Sequence, residues 1–138
     1  MPIDRLDALS RVPLLAALSH AQLHELADAF REQTFEEGST VIREGERGAR
    51  VLAFFIVAEG RATVTRDGEE IAVLGPGDHF GEIALFNDVP RRATVAAATD
   101  LCCLAMSSWE FRPFVESHPE VAWRLLESMA ERLAGDPS

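Results

Sequence analysis

Apolar side chains in the first thirty residues recur every three or four positions, which is the spacing of one face of an α-helix. Ser19 and Gln22 are three residues apart, as in a capping box, and predict the start of a helix that runs to about residue 30. Pro13 suits the first turn of a short preceding helix. The region 4–31 is therefore predicted to be helical. Its apolar positions are Leu14, Leu15, Leu18, Leu23, Leu26 and Phe30.

After residue 31 the pattern changes to short apolar or alternating runs that are separated by glycines and other turn residues. Asp67-Gly68 between two of these runs is a strong signal for a β-hairpin. Many short strands with closely spaced turns indicate an antiparallel sandwich or barrel. The region 32–106 is therefore predicted to be an antiparallel β-roll of the jelly-roll, or double-stranded β-helix, type. Its predicted strands are at residues 34–35, 40–42, 51–58, 62–65, 71–74, 93–97 and 101–105.

Two more helices are predicted after the last strand. Ser107 or Ser108 can cap a helix that runs to about residue 116, and Pro119 can start another that runs to about residue 133. We expect Trp109 and Phe111 to pack the first of these helices against the roll. The apolar stripe of the second helix consists of Val121, Leu125, Leu126, Met129 and Leu133.

The composition is that of a single folded domain with an acidic surface. The chain has 138 residues, and its 47% hydrophobic and 26% charged content is typical of globular rather than disordered proteins. We therefore predict one α+β domain over residues 1–138, with terminal helices at 4–31 and 107–134. The 13 Lys+Arg against 23 Asp+Glu give a formal net charge of −10. This charge argues against direct binding to nucleic acid, because sequence-independent affinity for the phosphate backbone comes from Lys and Arg.

The sequence predicts neither a membrane span nor a secretion signal. Its longest apolar run, at 51–58, is much shorter than the ~18 residues that a membrane-spanning helix needs. The N-terminal residues lack a basic segment followed by an apolar stretch. Cys102 and Cys103 are adjacent, so they are badly placed to staple the fold, and in a strand their thiols point to opposite faces. We therefore predict a cytoplasmic protein with two reduced cysteines.

The segment 80–95, FGEIALFNDVPRRATV, carries the chemistry that the rest of the chain lacks. Gly81 allows the backbone to approach a ligand closely, and residues 82–86 can form a helical turn whose first N–H groups suit an anion. The next turn can bring Arg91 back to those N–H groups, where it would hold a phosphate by charge-assisted hydrogen bonds. The Glu82 carboxylate is a good acceptor for a sugar hydroxyl. A phosphate and a ribose side by side indicate a nucleotide.

These residues resemble the phosphate-binding cassette of the cyclic nucleotide-binding domain family, which includes regulatory subunits of protein kinase A and the catabolite activator protein. The motifs that carry the resemblance are FGEIAL at 80–85 and PRxATV at 90–95. The flanking helices match as well, so that the resemblance covers about residues 10–134. Turns that fall where the family places them are at Gly38, Gly45, Glu59-Gly60 and Gly77-Asp78.

The resemblance implies a role for each residue of the cassette. Glu82 would accept a hydrogen bond from the ribose 2′-hydroxyl, and Gly81 would allow the sugar to approach. The backbone N–H groups of Ile83 and Ala84 would bind the exocyclic phosphate oxygens together with Arg91. The implied ligand is therefore a cyclic nucleotide.

Further residues are implied at the sugar and the base. Ala93 and Val64 would be small apolar walls, and Trp123 and Arg124 of the last helix are candidates for a lid over the base. Arg92 stands where binders of cAMP often have Ala or Ser and cGMP-selective members often have Thr. A guanidinium cannot imitate the threonine hydroxyl that favours guanine, so the resemblance implies cAMP, with cGMP as the alternative. Arg92 itself would add a second phosphate contact or point into solvent.

The predicted function is that of a non-enzymatic sensor or regulatory domain that binds a cyclic nucleotide and needs no cofactor. Its terminal helices would respond to the ligand and act on a protein effector that the sequence does not identify. The short last helix leaves little room for a dimer coil, so we expect a monomer or a weak dimer. Two alternatives are the sensing fragment of a catabolite-activator-type transcription regulator or of a larger cAMP-regulated protein, and an adaptor that no longer binds nucleotide.

Catalysis and metal binding are disfavoured. His20 and His24 are one helical turn apart, but the segment between them lacks the internal Glu of the HExxH motif and no third ligand is visible. A metal-dependent enzyme of the cupin type needs His and carboxylate ligands clustered on strands, whereas most histidines of this chain fall in the helical parts. His79 is expected to be a turn residue, and no nucleophile has an activating base at a recognisable spacing.

Overall fold

The computed structural model describes residues 4–46, 53–81 and 91–135, and their architecture is the predicted antiparallel roll with helices at both ends. The elements in chain order are α1 (Arg5–Ser10), a 3₁₀ turn (Pro13–Leu15), α2 (His20–Ala27), β1 (Arg31–Phe35), β2 (Thr40–Ile42), β3 (Ala53–Glu59), β4 (Ala62–Arg66), β5 (Glu69–Leu74), β6 (His79–Phe80), β7 (Thr94–Ala97), β8 (Leu101–Ser107), α3 (Ser108–Ser117) and α4 (Pro119–Gly135). The predicted helical turn at 82–86 and the turn after it lie outside the described residues.

The predicted capping box begins α2. The Gln22 backbone N–H donates to Ser19 Oγ over 3.1 Å, and the Ser19 backbone N–H donates to Gln22 Oε1 over 2.8 Å. The helix ends at Ala27 rather than near residue 30, because β1 begins at Arg31 and the chain must turn before it. Phe30 nevertheless keeps its predicted place in the core, where it is almost fully buried.

The described strands form two four-stranded antiparallel sheets. Their strand orders are β1-β8-β3-β6 and β2-β7-β4-β5. Strands that are distant along the chain are therefore neighbours: β8 pairs with β1 on one side and with β3 on the other, and β7 lies between β2 and β4. This interleaving is typical of double-sheet jelly rolls.

The sheet that contains β3 is covered on both faces. Successive side chains of a strand point to opposite faces, so Phe54 and Ile56 pack with the helices. Phe55 and Val57 point into the roll. A strand that is buried on both faces needs apolar residues at every position, and this explains the continuous apolar run in this part of the chain.

The hairpin predicted at Asp67-Gly68 joins β4 to β5. Asp67 has φ 53° and Gly68 has φ 80°, as in the two-residue turns that match the twist of antiparallel strands. Arg66 and Glu69 are directly paired on either side of this turn. The hairpin therefore fixes where the last residue of β4 lies.

The expectation that His79 is a turn residue is wrong. His79 is in β6, paired with Ile56, and is only 9% exposed. Its ring centroid lies 5.7 Å from that of Phe54. β6 is only two residues long, so no periodic pattern could reveal it, and its place depends on pairing with the distant β3.

The prediction for α3 is right for Phe111 and wrong for Trp109. Phe111 is buried, with its ring centroid 5.0 Å from that of Phe54. Trp109 is 69% exposed. Two residues along a helix are about 200° apart around its axis, so the two side chains cannot share one buried face.

Cys102 and Cys103 lie on opposite faces of β8, as predicted. Cys103 is fully buried, whereas Cys102 is partly exposed. Burial, and to a smaller extent the neighbouring Cys102, raises the pKa of Cys103 from its ordinary value of 9.0 to about 12. Burial also raises the pKa of Cys102, as do the carboxylates of Glu32 and Glu59. Both thiols are therefore protonated at neutral pH.

The buried thiol predicts a loss of stability at alkaline pH. Because the pKa of Cys103 is raised on folding, its contribution to stability is complete below about pH 9 and is lost as the pH rises toward about 12. We expect the free energy of unfolding to fall by up to about 1.4 kcal/mol per pH unit in this window. The chain contains neither Lys nor Tyr, so no other side chain except Cys102 titrates there.

Urea unfolding of the wild type and of Cys103→Ala, between about pH 8 and pH 11, measures this effect. The slope of unfolding free energy against pH should be clearly smaller in Cys103→Ala, whatever the cavity costs at neutral pH. Equal slopes in the two proteins would contradict the prediction.

Candidate ligand-binding site

Arg91 is buried at the start of the segment that leads into β7. Only 6% of its surface is exposed, and its Nη1 donates to the backbone carbonyl oxygen of Gly81 over 3.0 Å. Arg91 is therefore not an exposed charge on the surface of a turn. The structure brings Gly81 and Arg91 of the predicted cassette into contact, although they are ten positions apart along the chain.

Two main-chain hydrogen bonds hold Arg91 in this place. Its backbone N–H donates to the Glu46 carbonyl oxygen over 2.9 Å, and the Gly45 N–H donates to the Arg91 carbonyl oxygen over 2.8 Å. Gly45 has φ 89°, a conformation that favours glycine. The turn after β2 thus positions the guanidinium from outside the cassette.

Gly81 follows β6 directly and also has a positive φ, of 92°. This conformation turns the chain out of the sheet and presents the Gly81 carbonyl oxygen to Arg91. Glu82, Ile83 and Ala84 lie outside the described residues. Their assigned contacts with the ribose hydroxyl and the phosphate remain predictions.

The predicted walls lie on two neighbouring strands, at the same end of the roll. Val64 of β4 pairs directly with Val95 of β7 and packs against the hydrophobic cluster inside the roll. Ala93 is partly buried and immediately precedes β7. The start of β7 is tied to β2 as well, because the Glu44 N–H donates to Thr94 Oγ1 over 2.9 Å.

The two arginines at 91 and 92 differ in their surroundings. Arg91 is buried, whereas Arg92 is exposed. An exposed guanidinium is well hydrated and gains little from a contact at the surface. The structure thus separates two residues that the sequence presents as a pair.

Neither lid candidate is buried. Trp123 is 65% exposed and Arg124 is also exposed, while α4 packs through Val121 and Leu125. Arg124 lines a cavity of about 320 Å³ together with residues of the 3₁₀ turn, with Asp78 of the β5–β6 connection and with His79 of β6. In this structure, therefore, α4 packs on the N-terminal turn, and the roles of Trp123 and Arg124 as a lid remain predictions.

Arg66, the last residue of β4, was not predicted as a residue of this end of the roll. Its Nε is buried although the residue adjoins a hairpin turn. The alternation in ATVTR was the available signal: with Ala62 fully buried, Val64 and Arg66 share the inner face of the sheet. The described part of this end of the roll therefore carries two inward-facing arginines.

The histidines of the described residues are scattered rather than clustered with other metal-binding side chains. They contain no group of three or more His, Cys, Asp or Glu side chains that could hold a metal ion. The rings of His20 and His24 have centroids 6.3 Å apart on an exposed helix face. In the same part of the chain, no helix combines the length and the apolar character that a membrane crossing requires.

A search against protein-family models matches residues 32–118 to the cyclic nucleotide-binding domain. This match covers more than half of the chain and includes both Gly81 and Arg91. The chain belongs to the cyclic nucleotide-binding domain family. It is a cyclic nucleotide-binding regulatory domain, as the cassette predicted.

The relatives that match this chain are proteins of different kinds. A cAMP-dependent protein kinase regulatory subunit of Yarrowia lipolytica is 48% identical over 95 residues, which are 67% of this chain and 24% of that protein. A cyclic nucleotide-gated potassium channel of Rhizobium etli is 38% identical over 129 residues, which are 94% of this chain and 35% of that protein. The chain thus spans about a quarter to a third of the length of these relatives.

One solved structure matches over nearly its whole length. It is the N-terminal domain of a transcriptional regulator from Streptomyces coelicolor A3(2), with 38% sequence identity, a TM-score of 0.71 and 94% of each chain covered. The likeness extends beyond the family match at 32–118 into the terminal helices.

Proposed function

We propose that this chain is a non-enzymatic sensor that binds cAMP inside the roll, at the end where Arg91 lies. The observation that carries the proposal is the buried Arg91, which is held by Gly81 from one side and by the Gly45-Glu46 turn from the other. A buried guanidinium is screened less than an exposed one, so it attracts an anion more strongly. A cyclic phosphate is an anion, and its two exocyclic oxygens match the fork of a guanidinium.

The local charge makes anion binding possible in an acidic protein. The net charge of −10 repels a nucleotide at long range, but ionic strength near that of the cell screens exposed charges beyond about 8 Å. A buried guanidinium is screened much less than exposed charges. Affinity is therefore expected to come from contacts within the pocket and to depend only weakly on salt.

The preference for cAMP has two supports. Position 92 has no hydroxyl group, and its arginine is exposed rather than directed into the roll. Among the relatives, a kinase regulatory subunit whose name specifies cAMP is 48% identical to this chain. Adenine is therefore the proposed base, and cGMP is the competitor against which it is to be measured.

The output is proposed to pass through α4 to a protein effector. α4 presents Trp123 and Arg124 at its surface and packs on the 3₁₀ turn. A ligand that favours a second position of this helix would shift the population of the two states by its difference in affinity for them. The relatives include a kinase regulator, a channel and a transcriptional regulator, so the proposal names no single class of effector.

We also propose that the domain is cytoplasmic and is a monomer or a weak dimer.

The first test is thermal unfolding with and without nucleotide. Ligand at about 100 times its Kd stabilises a folded protein by about 2.7 kcal/mol, so cAMP should raise Tm by roughly 10 °C for a domain of this size. AMP with an open 5′-phosphate serves as the control, because it has the same base without the cyclic phosphate. An unchanged melting curve at millimolar cAMP and cGMP would contradict the proposal and favour an adaptor that no longer binds nucleotide.

A further inference from the structure

The outer face of the sheet β2-β7-β4-β5 has no covering layer in the described part of the chain. There, the helices pack against β3 and β8 of the other sheet, while the inner faces of both sheets enclose the second core cluster. Ala62 and Val64 belong to that inner face, so the residues that alternate with them point outward. The outward positions of β4, β5 and β7 form an outer patch that consists of Thr63, Thr65, Val73, Thr94 and Ala96.

The outer patch is uncharged and partly apolar. Thr63 pairs with Val73 on one side and with Ala96 on the other, so these three side chains form one row across the sheet. Val73 is 52% exposed, and Ile71, two residues earlier on the same strand, is 48% exposed. A sheet face that meets only water normally carries polar residues. Exposed aliphatic side chains in an uncharged row are instead typical of the centre of a protein–protein interface.

The outer patch has a cation at one end and a carboxylate at the other. Arg61 is exposed, and the alternation along β4 places it on the same face as Thr63. Its backbone N–H donates to Thr99 Oγ1 over 3.0 Å, which fixes the chain at this end. Glu70 is exposed and pairs directly with Thr65, so it lies on this face as well. The two ends are about 13 Å apart along the strand, too far for an ion pair within one copy.

A second copy of this chain complements both features. We propose that two copies associate weakly through their outer patches, about a two-fold axis that runs across the strands. The facing strands are then antiparallel, so that Arg61 of each copy meets Glu70 of the other. These unlike pairs matter because two molecules of net charge −10 repel each other, and the uncharged centre adds no repulsion at close range. The patch is on the opposite face of β4 from Val64, so the proposal does not depend on nucleotide binding.

The small size of the outer patch limits the strength of the association. Most of its side chains are short threonines and alanine. We therefore expect a buried area at the low end for specific interfaces, below about 1,200 Å² in total, and a dimer Kd on the order of 100 µM.

Sedimentation equilibrium from micromolar to millimolar protein concentration tests the proposal in the wild type, Val73→Lys and the control Leu126→Lys. Leu126, on α4, is 57% exposed, so both variants replace a half-exposed aliphatic side chain by the same cation. The wild-type mass should rise with concentration toward that of a dimer. Val73→Lys is expected to weaken the dimer at least about tenfold, because the two new ammonium groups lie in the uncharged centre. Leu126→Lys should change the dimer Kd by no more than about threefold.

A charge exchange tests the two-fold arrangement. Arg61→Glu is expected to weaken the dimer about fivefold, since it sets two carboxylates together at each end of the interface. Adding Glu70→Arg in the same chain restores the unlike pairs and returns the net charge to its wild-type value. The affinity of the doubly exchanged protein should therefore recover to that of the wild type.

Each result supports or overturns the proposal. A wild type that stays monomeric throughout this range overturns it, and any protein that covers the patch is then a different one. The proposal is also wrong if Val73→Lys weakens the dimer no more than Leu126→Lys does, and a selective loss in Leu126→Lys would place the contact on α4. If the double exchange fails to restore the affinity, the antiparallel arrangement is overturned and the proposal with it. Melting curves show whether each variant is folded, and Val73→Thr, which should also weaken the dimer, replaces a lysine variant that does not fold.

Discussion

Replacing Arg91 by Gln is expected to weaken cAMP binding by about 100-fold or more. A hydrogen bond to a charged group contributes about 1.5–3 kcal/mol, and a guanidinium can form two of them with a phosphate. Arg91 is buried, and its backbone is hydrogen-bonded to the turn at Gly45 and Glu46, which holds the guanidinium in place. Titration with a fluorescent cAMP analogue measures the loss of affinity directly. The rise in Tm that cAMP causes in the wild type should disappear in Arg91→Gln.

Arg92→Gln is the matched control for this prediction. It removes the same charge from the adjacent position, but its side chain is exposed. We expect a change in Kd of no more than about threefold, within the usual range for a surface ion pair. A large loss in Arg92→Gln together with a small loss in Arg91→Gln would reverse the assignment of the two residues. Far-ultraviolet circular dichroism shows whether each variant keeps the roll.

Gly60→Ala is expected to be among the most destabilising single substitutions in the fold. Gly60 has φ 89°, and a Cβ there would lie 2.2 Å from the Asp100 carbonyl oxygen and 3.1 Å from the Leu101 Cα. Both atoms belong to the backbone, so they cannot rotate away. The left-handed conformation alone costs about 1–2 kcal/mol and overpacking adds about 1–3 kcal/mol, which together amount to about 2–5 kcal/mol.

Gly38→Ala isolates the steric part of this loss. Gly38 has the same φ of 89°, but no atom lies within 4 Å of a Cβ built on it. Its replacement should therefore cost only the conformational part, about 1–2 kcal/mol. Urea unfolding of both variants measures the difference. Equal losses would show that the chain near Asp100 moves aside, contrary to the expectation.

The site shows how far local sequence reasoning extends. Gly81 and Arg91 were assigned to one site because a short segment between them can bring glycine and guanidinium together, and they are in hydrogen-bond contact. The turn at Gly45-Glu46, which holds Arg91, could not be assigned to the site in this way. It lies far away along the chain, and its contact with Arg91 exists only after β2 and β7 have paired.

Long-range pairing also explains the errors. His79, just before Phe80, was expected to be a turn residue, yet it pairs with β3 and is buried. Arg66 was not predicted as a site residue. Its inward direction follows from the register of β4 on β7, which a single sequence does not contain.

The sequence by itself determined the features whose causes act over a few residues. The capping box at Ser19, the hairpin at Asp67-Gly68 and the helix that starts at Pro119 are of this kind, since each depends on local hydrogen bonds or on allowed backbone angles. Tertiary structure alone decided which strands are neighbours, and hence that Arg91 is buried, that Arg92 is exposed and that Arg66 faces the roll. The physical reason is that side chains from distant segments share a pocket only when the sheets close over a common core.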